Sequence, residues 1–232
     1  MNLFDLSGKT AIITGTSGNL GPIWKETLEQ MGIKVFGIDL PKYDLSNPDD
    51  ISKAVFDYKK EFSTPDIIIC NAGLDNPPGS DANFWGSKKI MNVNFYGHKF
   101  LIKFLWDDLK EKDGLKHIIF IGSLLGNVAA DHRNYTPPFD KPVDYGASKR
   151  ALFALTQNLA TRGAPYNILV NMLSFAAVQG NQSEDFKQKY LKNVPMGRMA
   201  TKDDCQRALM GMLIQTYLTG KEILFDGGYT AW

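Results

Sequence analysis

Short apolar runs and helix-period patterns alternate along the whole chain. Strand-type runs are predicted at 9–14, 34–38, 66–70, 116–122, 167–173 and 222–226. Helical patterns are predicted near 19–31, 48–62, 84–111, 143–162, 183–192 and 202–216. This alternation predicts an α/β fold of Rossmann type, a doubly wound parallel sheet, in a single domain over 1–232. Because ligands bind at the carboxyl ends of such strands, the long loop at 123–142 is expected to be functional.

A glycine-rich turn follows the first predicted strand. It contains Gly15, Gly18 and Gly21, and a helical pattern follows it. Glycines let a pyrophosphate approach the backbone, and the helix N-terminus supplies free N–H groups and a positive dipole end. The second strand ends in Asp39, 18 residues after Gly21, about where a ribose 2′-hydroxyl needs an acceptor. A glycine turn alone can be a plain loop, but this order of elements indicates a dinucleotide site. Asp39 would also repel a 2′-phosphate, which favours NAD.

Tyr145 and Lys149 lie four residues apart at the start of the helix predicted at 143–162. Residues at this spacing share a helix face. The ammonium is expected to lower the pKa of the tyrosine from about 10, so that the phenol can move a proton to or from a substrate oxygen. Alone, this spacing is more typical of an exposed helix face. The dinucleotide-type turn upstream favours the catalytic interpretation.

The composition limits the functional classes. The chain has 232 residues, 44% hydrophobic and 22% charged, which is ordinary for a globular domain. A net charge of +1 gives no sign of nucleic-acid binding. Cys70 and Cys205 show neither metal-ligand spacing nor a disulfide framework, so we predict no metal and a reduced, cytoplasmic protein. The apolar runs are too short to span a membrane, and no signal peptide is recognised at the start.

Taken together, these motifs resemble the short-chain dehydrogenase/reductase family from Leu6 to Trp232. Asn71-Ala72-Gly73 is similar to the family's strand-stabilising motif. The resemblance implies a catalytic tetrad of Asn94, Ser123, Tyr145 and Lys149. It also implies NAD contacts from the glycine turn to the segment after the fifth strand. These are Gly15, Ser17, Asn19, Leu20, Gly21, Asp39, Asp44, Leu45, Asn71, Ala72, Gly73, Tyr145, Lys149, Ala176 and Val178.

The chain departs from the family pattern in two places. Asn19 stands where the turn usually has glycine, and asparagine tolerates positive φ better than most residues. After the fifth strand the family's proline-glycine and threonine are missing from Ser174–Gly180, which removes the family's side-chain contact to the nicotinamide, although backbone groups there could still position it. We expect 175–192 to be a mobile lid with Gly180 as a hinge.

A narrower resemblance is found in the second half of the chain. The stretches 181–186, 194–200 and 226–232 are similar to a bacterial branch that includes oxidoreductases of flagellin-glycan and legionaminic-acid-type sugar pathways. The interval of 22 residues from Ser123 to Tyr145, longer than usual, also suits that branch.

The resemblance implies an NAD(H)-dependent oxidoreductase that interconverts a hydroxyl and a ketone on a small polar substrate such as a sugar derivative. Tyr145 would be the acid/base, Ser123 would stabilise charge on the substrate oxygen, and Lys149 would also bind the nicotinamide ribose. Asn94 would hold a water in a proton relay. Two alternatives remain: a non-catalytic NAD-binding regulator or scaffold, and a sugar epimerase or dehydratase of the extended family, which the short length disfavours.

The chain is also expected to bind a second copy of itself. The helices predicted at 84–111 and 143–162 carry more apolar residues than one buried face needs. On the first these are Phe95, Phe100, Leu101, Phe104 and Leu105, and on the second Leu152, Phe153, Leu155 and Leu159. Since the family pairs these helices across its main interface, we predict a homodimer or homotetramer.

Overall fold

Strands and helices alternate through the computed structural model, which describes residues 6–77, 79–80, 83–136 and 141–231. The strands are β1 (Thr10–Thr14), β2 (Lys34–Ile38), β3 (Ile67–Cys70), β4 (Lys116–Ile121), β5 (Ile168–Phe175) and β6 (Glu222–Phe225). The helices are α1 (Gly21–Gln30), α2 (Pro48–Glu61), α3 (Phe84–Met91), α4 (His98–Glu111), α5 (Asp144–Gly163), α6 (Glu184–Leu191) and α7 (Lys202–Leu213). No helix in these ranges is long and apolar enough to cross a membrane.

The strands form one parallel sheet in the order β2-β1-β3-β4-β5-β6. This confirms the predicted α/β fold. The direction in which the sheet is wound reverses between β1 and β3. Such a reversal opens a crevice at the carboxyl ends of the two strands, and dinucleotides bind there in folds of this kind. The glycine turn after β1 and the Asn71-Ala72-Gly73 motif after β3 therefore lie side by side.

Helices cover both faces of the central strands, and successive side chains of each of these strands point to opposite faces. Ile12, Ile68 and Ile118 are in register and pack under α2, α4 and α5. Ile13, Ile69 and Ile119 occupy the other face under α1 and α7. This two-sided burial explains why the strands read as continuous apolar runs and not as alternating ones.

The helix predicted over 84–111 is not a uniform α-helix. It runs without a break from α3 to α4, but residues Asn92–Gly97 form a π-helical segment, which we call the π segment. A π segment contains an extra residue per turn and often marks a functional site. The last predicted helix is also shorter than expected, since α7 ends at Leu213 and not at 216.

The apolar excess on the two long helices is smaller than predicted. Leu101, Leu105, Leu152 and Leu159 are buried in the core of the single chain. Phe95, Phe100, Phe153 and Leu155 pack against that core and are partly buried, and Phe104 is exposed at 39%. The homo-oligomer stays a prediction that rests on this reduced set of residues.

Candidate active site

The glycine turn is built for close backbone contact. Gly15 has φ of +69°, and a Cβ there would lie 2.8 Å from Ala72 Cα. A Cβ on Gly21 would lie 2.0 Å from the Gly15 carbonyl oxygen, so the first turn of α1 can pack on the loop only without a side chain. Asn19 does not have positive φ; Asn167 is the non-glycine residue of the described chain that does. The tolerance of asparagine for that conformation is therefore not needed.

Asn71 ties the glycine turn to the end of β3. Its Nδ2 donates to the carbonyl oxygens of Thr14 and Gly15 at 3.0 and 2.9 Å, and its Oδ1 accepts from Trp24 Nε1 at 2.8 Å. Thr14 Oγ1 accepts from the backbone N–H groups of Asn71 and Ala72 at 2.9 and 3.0 Å. The two motifs thus form one rigid wall of the crevice.

Asp39 lies beside the turn, at the carboxyl end of β2. Its Oδ2 accepts from the backbone N and the Oγ of Ser17 at 2.5 and 2.6 Å, and its Oδ1 accepts from Leu40 N at 2.9 Å. Burial opposes ionisation, but the hydrogen bonds from Ser17, Leu40 and Thr16 outweigh it and lower the pKa of Asp39. The carboxylate is therefore ionised at neutral pH and faces the phosphate-type turn.

Two further residues predicted to contact NAD, Asp44 and Leu45, are engaged in contacts within the protein. Asp44 Oδ1 accepts from the backbone N and the Oγ of Ser46 at 2.8 and 2.7 Å, and so closes a turn before α2. Leu45 is buried in the core. Only their exposed or backbone atoms are left for a ligand.

Three of the four predicted catalytic side chains meet at the carboxyl end of β4. Ser123 follows this strand, and its hydroxyl lies close enough to the Tyr145 phenol to lower the pKa of that phenol. Lys149 is almost completely buried; its Nζ donates to the Ile121 carbonyl at 2.8 Å and lies 5.6 Å from the centre of the Tyr145 ring. Gly73 borders the same space, since a Cβ there would lie 3.4 Å from Lys149 Nζ.

The electrostatics of this pair differ from the prediction. Burial, then the negative charge of Asp75, raises the pKa of Tyr145 to about 12, against a smaller lowering by the Ser123 hydroxyl. Burial also lowers the pKa of Lys149 to about 8. The expected lowering of the tyrosine pKa by Lys149 is therefore wrong for the protein alone, because desolvation of the phenol dominates.

Asn94, the fourth predicted residue, lies in the π segment and is fully buried. Its Nδ2 donates to Leu74 O and Ser148 Oγ, both at 2.9 Å, and its Oδ1 accepts from Leu74 N at 2.7 Å. Ser148 Oγ in turn donates to the Tyr145 carbonyl at 2.7 Å. Asn94 thereby links the loop after β3 to the start of α5, and the second lone pair of Oδ1 is the side-chain acceptor left for a water.

Comparisons with known proteins identify the family of this chain. A family model described as enoyl-(acyl carrier protein) reductase matches residues 4–230. A short-chain dehydrogenase from Leptospira borgpetersenii, solved with bound NAD+, superposes with a TM-score of 0.90 at 28% identity, over 98% of this chain and 95% of that one. The chain belongs to the short-chain dehydrogenase/reductase family.

Curated relatives of this short-chain dehydrogenase/reductase act on different substrates. Sorbose reductase of Candida albicans is 26% identical over 99% of this chain and 90% of its own. The NAD-dependent glycerol dehydrogenase of Listeria innocua is 26% identical over 98% and 96%. A 3-oxoacyl-[acyl-carrier-protein] reductase of Aquifex aeolicus is 27% identical over 96% and 88%. Sugar or polyol enzymes and acyl-carrier enzymes thus have similar sequence identity to this chain.

His98 is a site residue that the sequence did not reveal as one. It is fully buried, with Nε2 3.0 Å from Thr14 Oγ1 and Nδ1 3.0 Å from the Asn94 carbonyl. Thr14 Oγ1 already accepts two N–H groups, so its hydrogen must go to His98 Nε2. The imidazole is therefore neutral, with its proton on Nδ1 and donated to Asn94 O. Its only sequence signal is the spacing of four residues from Asn94, which is too common to be diagnostic.

The unusual segment after β5 is held by its own contacts. Ala176 N donates to Phe225 O, and Ala177 N to Tyr190 Oη, both at 3.0 Å. Val178 lies opposite Ala200 in an isolated parallel bridge, and the hydrogen bonds of this bridge are made by the residues on either side of Val178. Gln179 N donates to Ala200 O, and Ala200 N donates to Ala177 O. Gln182 Nε2 donates to Val178 O at 2.8 Å, and its buried Oε1 has no hydrogen-bond partner within the described chain. One buried acceptor is thus left open where the family's threonine is missing.

Proposed function

We propose that this protein is an NAD(H)-dependent oxidoreductase that interconverts a hydroxyl and a ketone on a small polar substrate, with Tyr145 as acid/base. The observation that carries the proposal is the Ser123–Tyr145 pair of hydroxyl groups beside the buried Lys149 ammonium. Two hydroxyl groups that converge on one point can hold a single substrate oxygen, and one of them can exchange a proton with it.

The residues around the crevice fit a nicotinamide dinucleotide. Gly15 and Gly21 leave room where a Cβ would collide with backbone, and the N-terminus of α1 faces that room. Asp39 offers a carboxylate to a ribose hydroxyl, and Arg is absent from the turn and from the residues directly after Asp39, which favours NAD over NADP. The open Oε1 of Gln182 is a suitable acceptor for the carboxamide N–H group. When bound, the nicotinamide supplies or accepts the hydride.

The protein's own groups would do the proton chemistry. With a pKa of about 12, Tyr145 is protonated at neutral pH and can donate to the substrate oxygen during reduction. Ser123 Oγ stabilises the developing charge on that oxygen. Lys149 places a positive charge beside the phenol and would hold the nicotinamide ribose, while Asn94 fixes the loop after β3 and the start of α5. In oxidation the same groups act in reverse.

The substrate class within this proposal is a sugar derivative. Relatives include enzymes named for sorbose and glycerol, and the stretches 181–186, 194–200 and 226–232 resemble the bacterial flagellin-glycan and legionaminic-acid branch. The resemblance of these stretches favours a polyhydroxylated substrate, and the relatives named for sorbose and glycerol are compatible with it.

The test is a panel assay by NADH absorbance with ketoses, polyols, sugar phosphates, nucleotide sugars and an acetoacetyl thioester. We expect turnover of a sugar-type substrate, its loss in Tyr145→Phe, and retained NADH binding in that variant by fluorescence titration. Thr161→Val, an exposed change on the far end of α5, is the matched control. A Tyr145→Phe enzyme with near-native rate would contradict the acid/base assignment.

One observation favours a non-catalytic NAD-binding protein instead. The segment after β5 lacks the family's proline, glycine and threonine, and the Ala176 amide is bonded to Phe225 O. Cofactor binding without turnover across the whole panel would establish that rival.

A further inference from the structure

An ion pair between a buried lysine and an exposed aspartate lies at the rim of the proposed active site. Lys141 Nζ donates to Asp75 Oδ2 at 2.5 Å and to the Asn76 carbonyl at 2.8 Å. The Lys141 side chain is only 6% exposed, whereas that of Asp75 is 43% exposed. The same ammonium lies 5.8 Å from the centre of the Tyr145 ring. The pair joins the loop after β3 to the segment before α5, directly beside the proposed acid/base.

The charge of Asp75 acts on the reacting groups. After burial, the charge of Asp75 is the next cause that raises the pKa of Tyr145, and it also opposes the lowering of the Lys149 pKa. Its Oδ2 is bonded to the same Lys141 ammonium that lies 5.8 Å from the centre of the Tyr145 ring, so Asp75 borders the space beside the phenol. A substrate whose oxygen meets Ser123 and Tyr145 would therefore have its neighbouring atoms next to Asp75.

The ion pair leaves one acceptor for a ligand. Lys141 is the one hydrogen-bond donor to the Asp75 side chain among the described residues, and it uses Oδ2, so Oδ1 accepts no hydrogen bond from any of them. A carboxylate only accepts hydrogen bonds. It suits a substrate that carries a hydroxyl beside its reacting carbon. A 3-oxoacyl thioester has only CH₂ or CH₃ groups on either side of its reacting carbonyl and offers no such donor.

We propose that Asp75, held in place by Lys141, determines specificity by accepting a hydrogen bond from a hydroxyl on the carbon next to the reacting one. The enzyme is thereby selective for hydroxyketones and polyols over 3-oxoacyl thioesters and plain ketones. This inference rests on the proposed function and names the side chain that selects the substrate class.

The experiment compares two matched ketones, 3-hydroxy-2-butanone and 2-butanone, with acetoacetyl-CoA as a third substrate. Asp75→Asn removes the charge at constant size. The double variant Asp75→Ala/Lys141→Met removes the pair together, so that no buried ammonium is left unpaired. Asp107→Asn, which removes a highly exposed carboxylate paired with Lys110 on α4, is the control. The measured quantity is the ratio of kcat/KM for hydroxyketone to that for plain ketone.

We expect the wild type to favour the hydroxyketone and both variants to lose about 10- to 100-fold of that ratio, as for loss of a hydrogen bond to a charged group. The plain-ketone rate should change far less, and the control should keep the wild-type ratio. An unchanged ratio in both variants, or a wild type that prefers acetoacetyl-CoA, would overturn the inference while Tyr145-dependent ketone reduction still upheld the proposed function. No turnover of any ketone would overturn both.

Discussion

Replacing His98 by leucine tests how the π segment is joined to the cofactor turn. Leucine is apolar and of comparable bulk, so the change chiefly removes two hydrogen bonds. One is from the Thr14 hydroxyl to Nε2, and the other from Nδ1–H to the Asn94 carbonyl, each 3.0 Å long and fully buried. Both remaining partners are then left unsatisfied.

The expected loss in the free energy of unfolding follows from the number of buried polar groups that are left without a partner. A buried polar group left without a partner costs about 1–3 kcal/mol. The Thr14 hydrogen has no alternative, because both lone pairs of that oxygen already accept N–H groups. The Asn94 carbonyl keeps a second lone pair, so its contribution lies at the lower end. We therefore expect His98→Leu to lower the free energy of unfolding by about 2–4 kcal/mol.

Urea unfolding followed by far-UV circular dichroism at pH 7 measures this change, and two conservative variants separate the bonds. Asparagine places an amide N–H near the position of Nδ1, whereas glutamine reaches the position of Nε2. We expect His98→Asn to restore the hydrogen bond to the Asn94 carbonyl and His98→Gln to restore the hydrogen bond to Thr14. Each variant should therefore show about half of the loss in unfolding free energy that His98→Leu shows. An unfolding free energy of His98→Leu within about 0.5 kcal/mol of wild type would refute the network.

The pH dependence provides a second check. Burial lowers the pKa of His98 to about 3 from 6.5. A base whose folded pKa is depressed stabilises the folded state above its unfolded pKa, and that stability is lost as the pH falls towards the folded value. Between pH 6.5 and about 3, wild type should therefore lose up to about 1.4 kcal/mol per pH unit more than His98→Leu. Parallel curves for the two proteins would show that His98 is not held neutral.

Other predictions concern the site and the assembly. Asp39→Ala should bring the Kd for NADPH closer to that for NADH by about 10-fold, because it removes the charge that repels a 2′-phosphate; tighter NADPH binding by wild type would oppose the assignment. Lys149→Met should abolish turnover and weaken NADH binding, yet stabilise the fold at pH 7 by about 3 kcal/mol, since the pKa falls from 10.5 to about 8 on burial. That gain should shrink as the pH rises from about 8 to 10.5, and equal melting temperatures at pH 7 would argue against it. Residues 175–192 should gain amide-exchange protection when NAD and substrate bind, and unchanged protection would exclude a lid. Light scattering should give a multiple of 25.9 kDa, and a monomer at micromolar concentration would rule out the oligomer.

The sequence by itself determined the architecture. The apolar runs within 66–70 and 116–122 have no polar alternation, which is the pattern of strands buried on both faces, and helical periods lie between them. The glycine turn, Asp39 and the Tyr145–Lys149 spacing are local features, and their chemistry requires only a strand, a turn or one helix face. For this reason their positions in the sheet could be predicted without coordinates.

Tertiary structure decided the properties that depend on residues far apart in the chain. The π segment cannot be predicted from residues 84–111 alone. Asn94 within it and His98 directly after it hydrogen-bond to residues that lie far away in the sequence, namely Leu74, Ser148 and Thr14. Lys141 and Asp75 are 66 residues apart, and only the folding of two loops onto Tyr145 makes them a pair. The pKa of Tyr145 likewise rises where the spacing to Lys149 alone predicted a fall, because desolvation is a property of the packed site and not of the sequence around it.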